Sequence, residues 1–169
     1  YGQALITYDE ENCTILTTVL GNKWIEHAAW LNNNMPLLKV GDMSSEAPAE
    51  LPKCLMVGEP DDIVAIEPIM QKRFPELSIY RSSPFFLEIV PRGVDKARTL
   101  KRLCHFMHRT PSDSLIAMGD GFNDISMVEL AGFGVAMENG CAEIKAVADF
   151  IAPSNVDCGV AAALEKLGI

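Results

Sequence analysis

The chain of 169 residues lacks several features that mark particular classes of protein. Its five cysteines include no C-x-x-C pair, and their odd number favours reduced thiols in a cytosolic compartment over a disulfide framework. The longest run of apolar and glycine residues, from Leu130 to Met137, is far shorter than the roughly 18 residues of a membrane span. A signal-peptide pattern is also missing. The sequence therefore predicts a cytoplasmic protein that is not inserted in a membrane.

Basic residues are scarce, with 14 Lys and Arg against 23 Asp and Glu and a net charge of −9. Phosphate backbones and anionic lipids repel such a chain, so we expect neither nucleic acid nor a membrane as a partner. The acidity is uneven, because residues 1–90 carry 13 acidic and six basic side chains, whereas residues 91–169 carry ten and eight. The second half is thus the better place for a site that handles an anion.

Several common site signatures are absent as well. The chain has no G-x-x-x-x-G-K-[ST] phosphate loop and no G-x-S-x-G elbow. A dinucleotide fingerprint fails because Asp124 stands where its third glycine belongs, and a Ca²⁺ loop fails because Phe122 occupies a ligand position. What is present is the composition of an ordinary globular protein, 49% hydrophobic and 22% charged.

Turn residues divide the chain into two predicted domains, residues 1–90 and 91–169, with Pro91-Arg92-Gly93 as the hinge. The first contains short β-rich runs and two helical patterns, which predict a small α+β unit with an antiparallel sheet. We expect Pro68 to kink the second helix or break it in two. Trp24, Trp30 and Met35 are predicted core residues, and a position facing the substrate is the alternative. The predicted strands are 4–8, 14–19, 54–57, 77–80 and 85–90, the helices are 23–31 and 62–74, and 40–52 is a loop.

From Pro91 onward, helices alternate strictly with short apolar strands. Such strands indicate a parallel sheet covered on both faces, and the whole pattern predicts half of a doubly wound, Rossmann-like α/β domain. The predicted helices are 95–107, 123–131, 142–148 and 157–167, and the predicted strands are 115–118, 133–137 and 149–152.

One loop after a predicted strand concentrates polar side chains. Ligands bind beyond the carboxyl ends of the strands in such sheets, and Gly119-Asp120-Gly121-Phe122-Asn123-Asp124 lies at that position. We expect Asp120 to point into the crevice, Gly121 to let the backbone turn sharply and Asp124 to open the next helix. Carboxylate and carboxamide oxygens suit a hard cation such as Mg²⁺. A plain Asp-Gly turn with a helix cap is the structural alternative.

A second element lies 24 residues before Asp120, in Gly93-Val94-Asp95-Lys96 at the predicted start of a helix. Free N–H groups and the helix dipole favour anions there, and Lys96 could hold a phosphate. A lysine in a first helical turn is by itself more often a solvated surface residue. The pairing of Lys96 with the acidic loop is what favours a site.

Together these stretches resemble the haloacid dehalogenase superfamily, in its Cof-type sugar-phosphatase branch. The resemblance runs through LEIVPRGVDKARTL (87–100), IAMGDGFNDISMVELAGFGVAMENG (116–140) and ADFIAPSNVDCGVAAALEKL (148–167). Residues 1–90 are similar to that branch's cap domain in the order of their elements. The resemblance implies that Lys96 holds the transferring phosphoryl group, Asp120 binds Mg²⁺, Asn123 contacts phosphate and Asp124 supports the metal shell.

Enzymes of this superfamily attack a phosphate ester with an Asp, and water then hydrolyses the aspartyl-phosphate. The D-x-D motif that carries this nucleophile and the general acid has no match in these residues, nor does the second-motif Ser or Thr. We therefore expect a phosphatase that acts on small phosphorylated metabolites. These 169 residues alone are expected to be inactive. We also expect a missing N-terminal core segment, or a partner surface, to cover the half of the core domain that is present. In the segment MENG (137–140), Glu138 and Gly140 depart from the Gly-Asn-Ala that the family usually has there.

Two other readings stay open. A non-catalytic binding or regulatory module could use the acidic loop to hold a cation or phosphate, and a receiver domain phosphorylated on Asp120 is a more distant alternative. We do not expect Cys104, His105 and His108 to bind metal, because they supply no second ligand pair. The basic residues of the same helix are predicted to form its solvated face.

Overall fold

A computed structural model describes residues 2–169, which form two compact units. The first extends to Arg92 and the second is Gly93–Ile169. In the described part of the chain, no helix is both long and apolar enough to cross a membrane.

The first unit is built on a six-stranded sheet in the order β3-β2-β1-β4-β6-β5. Its predicted strands and both predicted helices are present, with changes at their ends. The elements are β1 (Ala4–Asp9), β2 (Thr14–Thr17), α1 (Lys23–Leu31), β3 (Leu37–Lys39), α2 (Met43–Glu46), β4 (Cys54–Val57), α3 (Pro60–Arg73), β5 (Leu77–Ser83) and β6 (Phe86–Pro91).

The sheet is antiparallel, as predicted, except at one edge. β3 was not predicted as a strand, and it pairs with β2 in parallel, with Ile15 opposite Leu37. A parallel pair needs a crossover connection, and α1 supplies it between β2 and β3. The first unit therefore has a mixed sheet rather than a purely antiparallel one.

Alternation along β4 places the two long helices on opposite faces of this sheet. Leu55 and Val57 belong to the hydrophobic cluster that includes α1, whereas Met56 packs against the cluster that includes α3. Successive strand residues point to opposite faces, so each helix covers its own side. Both clusters contain fully buried aliphatic side chains, such as Ile6 under α1 and Ile63 in α3 itself.

Some predictions for the first unit are wrong. Pro68 does not break the second helix in two, because α3 runs from Pro60 to Arg73 and the carbonyl to which Pro68 cannot donate belongs to the exposed Val64, where water can donate instead. The predicted loop 40–52 contains the short helix α2 at Met43–Glu46. Trp30 is 62% exposed and is not a core residue. Trp24 and Met35 do pack against the cluster under α1.

The second unit has the predicted parallel sheet, in the order β7-β8-β9. The short helix α5 was not predicted, and two predicted helices begin with 3₁₀ turns at 122–124 and 155–157. The elements are α4 (Lys96–Phe106), α5 (Pro111–Ser114), β7 (Ile116–Gly119), α6 (Ile125–Leu130), β8 (Phe133–Met137), α7 (Ala142–Val147), β9 (Phe150–Ala152) and α8 (Gly159–Leu167).

Helices cover both faces of this sheet, as predicted. Val135 and Met137 of β8 pack with Ala163 of α8, whereas Ala136 packs with Val128 of α6 and Ile144 of α7. The central strand is thus buried on both sides, which explains why its sequence is a continuous apolar run. The carboxyl ends of the three strands remain as the edge where loops can form a site.

Candidate active site

The loops that follow β7, β8 and β9 meet at the carboxyl edge of the second unit's sheet. Asp120 follows β7 directly, Asn139 comes two residues after β8, and Asn155 lies in the 3₁₀ turn after β9. Hydrogen bonds join these loops, because Asn139 bonds to both Asp120 and the backbone of Asn155. This is the position where doubly wound sheets bind ligands.

Lys96 and Asp124, both predicted from the sequence, form an ion pair between Nζ and Oδ1. Gly93, with φ +75°, supplies the left-handed residue that brings the chain into α4, and the Asp95 side chain caps the helix by accepting from the N–H of Arg98 at 2.7 Å. Lys96 is the first residue of α4 and is half exposed, whereas Asp124 is buried. The pair offsets the cost of burying the Asp124 carboxylate.

Asp124 also organises the loop that precedes it. Its Oδ2 accepts hydrogen bonds from the backbone N–H groups of Asp120 at 3.1 Å and Gly121 at 3.2 Å. A Cβ on Gly119 would lie 2.4 Å from Cβ of Asp124, so only glycine allows this carboxylate to come so close. Gly121 is extended, with φ −108° and ψ 169°, so the glycine requirement lies at Gly119 rather than at the predicted Gly121.

Asp120 presents an exposed side chain on a fixed backbone. Its carbonyl accepts from the N–H of Cys141 at 3.0 Å, and its Oδ2 accepts from Nδ2 of Asn139 at 3.0 Å. A Cβ on Gly140 would lie 2.9 Å from O of Met137 and 3.1 Å from both Cα and O of Asp120, so a larger residue here would have to shift this backbone. Gly140 thus allows a close approach to the backbone of Asp120.

Asn139 is the site residue that the sequence reasoning missed. Glu138 and Gly140 were identified as departures from the family pattern, but Asn139 between them was not predicted to belong to the site. Applying the strand-end rule to β8 as well as to β7 would have found it. Asn123, which was predicted, lies half-buried in the 3₁₀ turn between Gly121 and Asp124.

The carboxylates of this site fit Mg²⁺ by their number and chemistry. Within residues 2–169, no group of three or more His, Cys, Asp or Glu side chains is placed to hold a metal. Mg²⁺ usually takes one or two protein carboxylates and completes its shell with water and substrate. Both oxygens of Asp124 already accept from donors of this chain, whereas the carboxylate of Asp120 is exposed and accepts from Asn139 through Oδ2. Cys104 is buried, whereas His105 and His108 are exposed.

A parallel sheet covered on both faces, with an acidic loop and a lysine at its carboxyl edge, defines an α/β protein that binds its ligand at the ends of its strands. The chain also contains a separate α+β unit. The family model for haloacid dehalogenase-like hydrolases matches residues 3–164, and the chain belongs to this family. The resemblance seen in the sequence is thereby confirmed.

Several known proteins with similar sequences carry phosphatase names. A candidate phosphatase of Streptococcus pyogenes is 40% identical over 118 residues, which are 69% of this chain and 44% of that protein. The 5-amino-6-(5-phospho-D-ribitylamino)uracil phosphatase YitU of Bacillus subtilis is 30% identical over 138 residues, 80% of this chain and 51% of that protein. The chain thus spans about half the length of the curated relatives it matches.

Solved structures show the same fold. A haloacid dehalogenase-like hydrolase from Bacteroides thetaiotaomicron is 35% identical and superposes with a TM-score of 0.79. The match covers 98% of this chain and 61% of that hydrolase. About two-fifths of the solved chain therefore has no counterpart among these residues.

Proposed function

We propose that the chain is part of a Mg²⁺-dependent phosphatase that hydrolyses a small phosphorylated metabolite in the cytoplasm. The observation that carries this proposal is the Lys96–Asp124 pair beside Asp120 at the carboxyl edge of a parallel sheet. Asp124 thereby links the ammonium group at the start of α4 to the loop that carries the exposed carboxylate of Asp120. A protein of net charge −9 repels an anionic substrate. A cation bound at the carboxylate, together with the ammonium group, would supply the positive charge that offsets this repulsion.

Each predicted residue has a role in this proposal. Lys96 binds a phosphoryl oxygen with an N–H that is not directed to Asp124, since the ammonium has three donors and the side chain is half exposed. Asn123 contacts the phosphate, Asp120 binds Mg²⁺, and Asp124 supports the metal shell by fixing Lys96 and the loop backbone. Bound Mg²⁺ would offset the charge on the transferring phosphoryl group.

The nucleophile must come from residues outside this chain, because no D-x-D segment occurs in it. We propose that the second unit is the C-terminal half of the family's catalytic core and that the first unit is its cap. The 169 residues alone would then bind ligands without turnover. Removing one member of a catalytic unit can already lower the rate on the order of 10⁶-fold.

The missing half has a candidate docking surface on the second unit. β7 is an edge strand of the three-stranded sheet, and three apolar side chains at the end of α4 are exposed, Leu103 and Phe106 within the helix and Met107 directly after it. The spacing of these three residues places them on one face of the helix. We propose that the segment present in longer relatives pairs with β7 and covers this face, because an open edge and an apolar face are both normally covered.

The name of one relative supports a proposal for the substrate class. YitU of Bacillus subtilis, 30% identical to this chain, is named for a substrate that carries phosphate on a ribityl group. We propose a phosphorylated sugar or sugar alcohol of similar size. A panel of sugar phosphates, ribityl phosphates and nucleoside monophosphates would test this, and a preference for nucleoside monophosphates would contradict it.

The activity is tested with p-nitrophenyl phosphate and Mg²⁺, on this chain and on a chain extended by the family's D-x-D segment. We expect turnover only in the extended chain. There Lys96→Ala should lower kcat by about 10²- to 10³-fold, as the loss of one charge-stabilising donor does elsewhere. Lys101→Ala, on the same helix and also exposed, is the matched control and should leave kcat unchanged.

Asp120→Ala should abolish the Mg²⁺-dependent hydrolysis of p-nitrophenyl phosphate by the extended chain. Turnover by the 169-residue chain that survives this substitution would overturn the assignment. If the extended chain binds Mg²⁺ and phosphate without hydrolysing any ester, the chain is the non-catalytic binding module considered above.

A further inference from the structure

We propose that Asn139 is a positioning residue that orients the Asp120 carboxylate for cation binding. This inference rests on the proposed function, because it takes Asp120 as the residue that binds Mg²⁺. Asn139 Nδ2 donates to Oδ2 of Asp120 at 3.0 Å, and Asn139 Oδ1 accepts from the backbone N–H of Asn155 at 2.9 Å. One carboxamide thus links the loops after all three strands of the sheet.

The chemistry of the two neighbours fixes which way this carboxamide faces. The backbone N–H of Asn155 can only donate, and an ionised carboxylate can only accept. Turning the carboxamide by half a turn would set a donor against a donor and an acceptor against an acceptor. Asn139 is therefore held with its NH₂ group toward Asp120, and the negative charge of Asp120 strengthens this bond.

The backbone around Asn139 is equally constrained. The N–H of Glu138 donates to the carbonyl of Ala152 at 2.9 Å, and the N–H of Gly140 donates to that of Met137 at 2.8 Å. Cys141 donates to the carbonyl of Asp120 at 3.0 Å. The turn that carries Asn139 is thus attached to the ends of both neighbouring strands, so its NH₂ group is held at a fixed place relative to Asp120.

A fixed donor on one carboxylate oxygen limits how the carboxylate can rotate. With Oδ2 held by Asn139, Oδ1 is the oxygen left to meet a cation. A side chain that is already oriented loses less conformational freedom on binding. Residues that hydrogen-bond to metal ligands in this way typically change metal affinity by about 10- to 100-fold when they are removed.

The experiment measures the affinity of the chain for Mg²⁺ alone by isothermal titration calorimetry, with thermal melting in parallel. We expect Asn139→Ala to weaken Mg²⁺ binding by about 10- to 100-fold. Asn155→Ala is the matched control, because it removes an exposed carboxamide but keeps the backbone N–H that Asn139 accepts from. It should leave the affinity unchanged.

Two results separate this inference from the proposed function. If Asp120→Ala abolishes binding while a folded Asn139→Ala chain binds as the parent does, the inference is wrong and the function stands. If Asp120→Ala has no effect on binding, the proposed function itself fails.

A further measurement needs no substitution. The side-chain NH₂ resonances of Asn139 in the ¹⁵N spectrum should shift when Mg²⁺ is added, since the carboxylate that accepts from this NH₂ group binds the cation through its other oxygen. Unmoved resonances at saturating Mg²⁺ would overturn the inference even if the alanine variant failed to fold.

Discussion

At the scale of single residues, the site depends on contacts that sequence spacing does not reveal. Two motifs, at a helix start and a strand end, and the resemblance to the family predict Lys96, Asp120, Asn123 and Asp124 as site residues. The sequence did not show that Asp124 would use one oxygen for Lys96 and the other for two backbone N–H groups. These bonds make Asp124 a support for the loop as well as an acidic site residue.

Gly119 provides a direct test of that support. A Cβ at this position would lie 2.4 Å from Cβ and 2.7 Å from Cγ of Asp124, so Gly119→Ala must displace the Asp124 side chain. We expect a loss of about 1–3 kcal/mol in the free energy of unfolding, as for other overpacked positions, together with weaker Mg²⁺ binding. Urea unfolding and calorimetry measure the two effects.

Gly41→Ala is a suitable control for this substitution, because the nearest atom to its Cβ is the end of the exposed Glu46 side chain. Its free energy of unfolding should change by less than that of Gly119→Ala. Equal stability of the Gly119→Ala variant and the parent chain would show that Asp124 can move at no cost.

Tyr8 in the first unit gives a pH-dependent prediction. Burial of the ring raises the pKa of Tyr8 above its ordinary value, and the charge of Glu88 raises it further. The folded state then holds the phenolic proton more strongly than the unfolded state does. The stabilisation is complete below the ordinary tyrosine pKa of about 10 and is lost as the pH rises through the raised pKa of the folded state.

The free energy of unfolding of the parent chain should therefore fall as the pH rises from neutral to this alkaline range. That of the Tyr8→Phe variant should fall less. Urea unfolding at several pH values compares the two slopes, and absorbance of ionised tyrosine follows the titration directly. Identical slopes for the two chains would contradict the prediction.

At the scale of helices and strands, the strongest patterns gave the right elements. The apolar run 133–137 became β8 without a shift, and Lys23–Leu31 became α1 because Asn22 caps it with bonds of 2.9 and 3.3 Å to the N–H groups of Trp24 and Ile25. Local patterns of this kind depend only on neighbouring residues. They could therefore be predicted from one sequence.

The elements that escaped prediction depend on distant partners. β3 has three residues, two of them exposed, and it exists because β2 pairs with it after the α1 crossover. The four residues of α5 likewise have too little periodicity to indicate a helix. Trp30 was placed in the core by its apolar character, but the face of α1 that packs is set by Ile25, Ala28 and Ala29. Tertiary packing, rather than propensity, decided these cases.

At the scale of the whole molecule, the apolar face of α4 should govern association. Phe106 is 82% exposed and lies beside Leu103 and Met107. Grouped apolar side chains on a surface favour contact with other chains. We expect the 169-residue chain to self-associate at high concentration and Phe106→Glu to weaken this association, as measured by sedimentation equilibrium.

Val156→Glu is the matched control, because Val156 is 83% exposed but lies in the turn after β9. The same charge placed there should change association less. If both variants, or neither, alter the association constant, the face on α4 is not the contact surface.

The four residues of β4 have a consequence for how the first unit unfolds. Alternate side chains of this strand belong to the cluster under α1 and to the cluster under α3, so displacing β4 would open both clusters at once. Regions that open together in this way form one cooperative unit. Hydrogen exchange should therefore find α1 and α3 protected to the same degree, as a single cooperative body rather than two layers that open in turn.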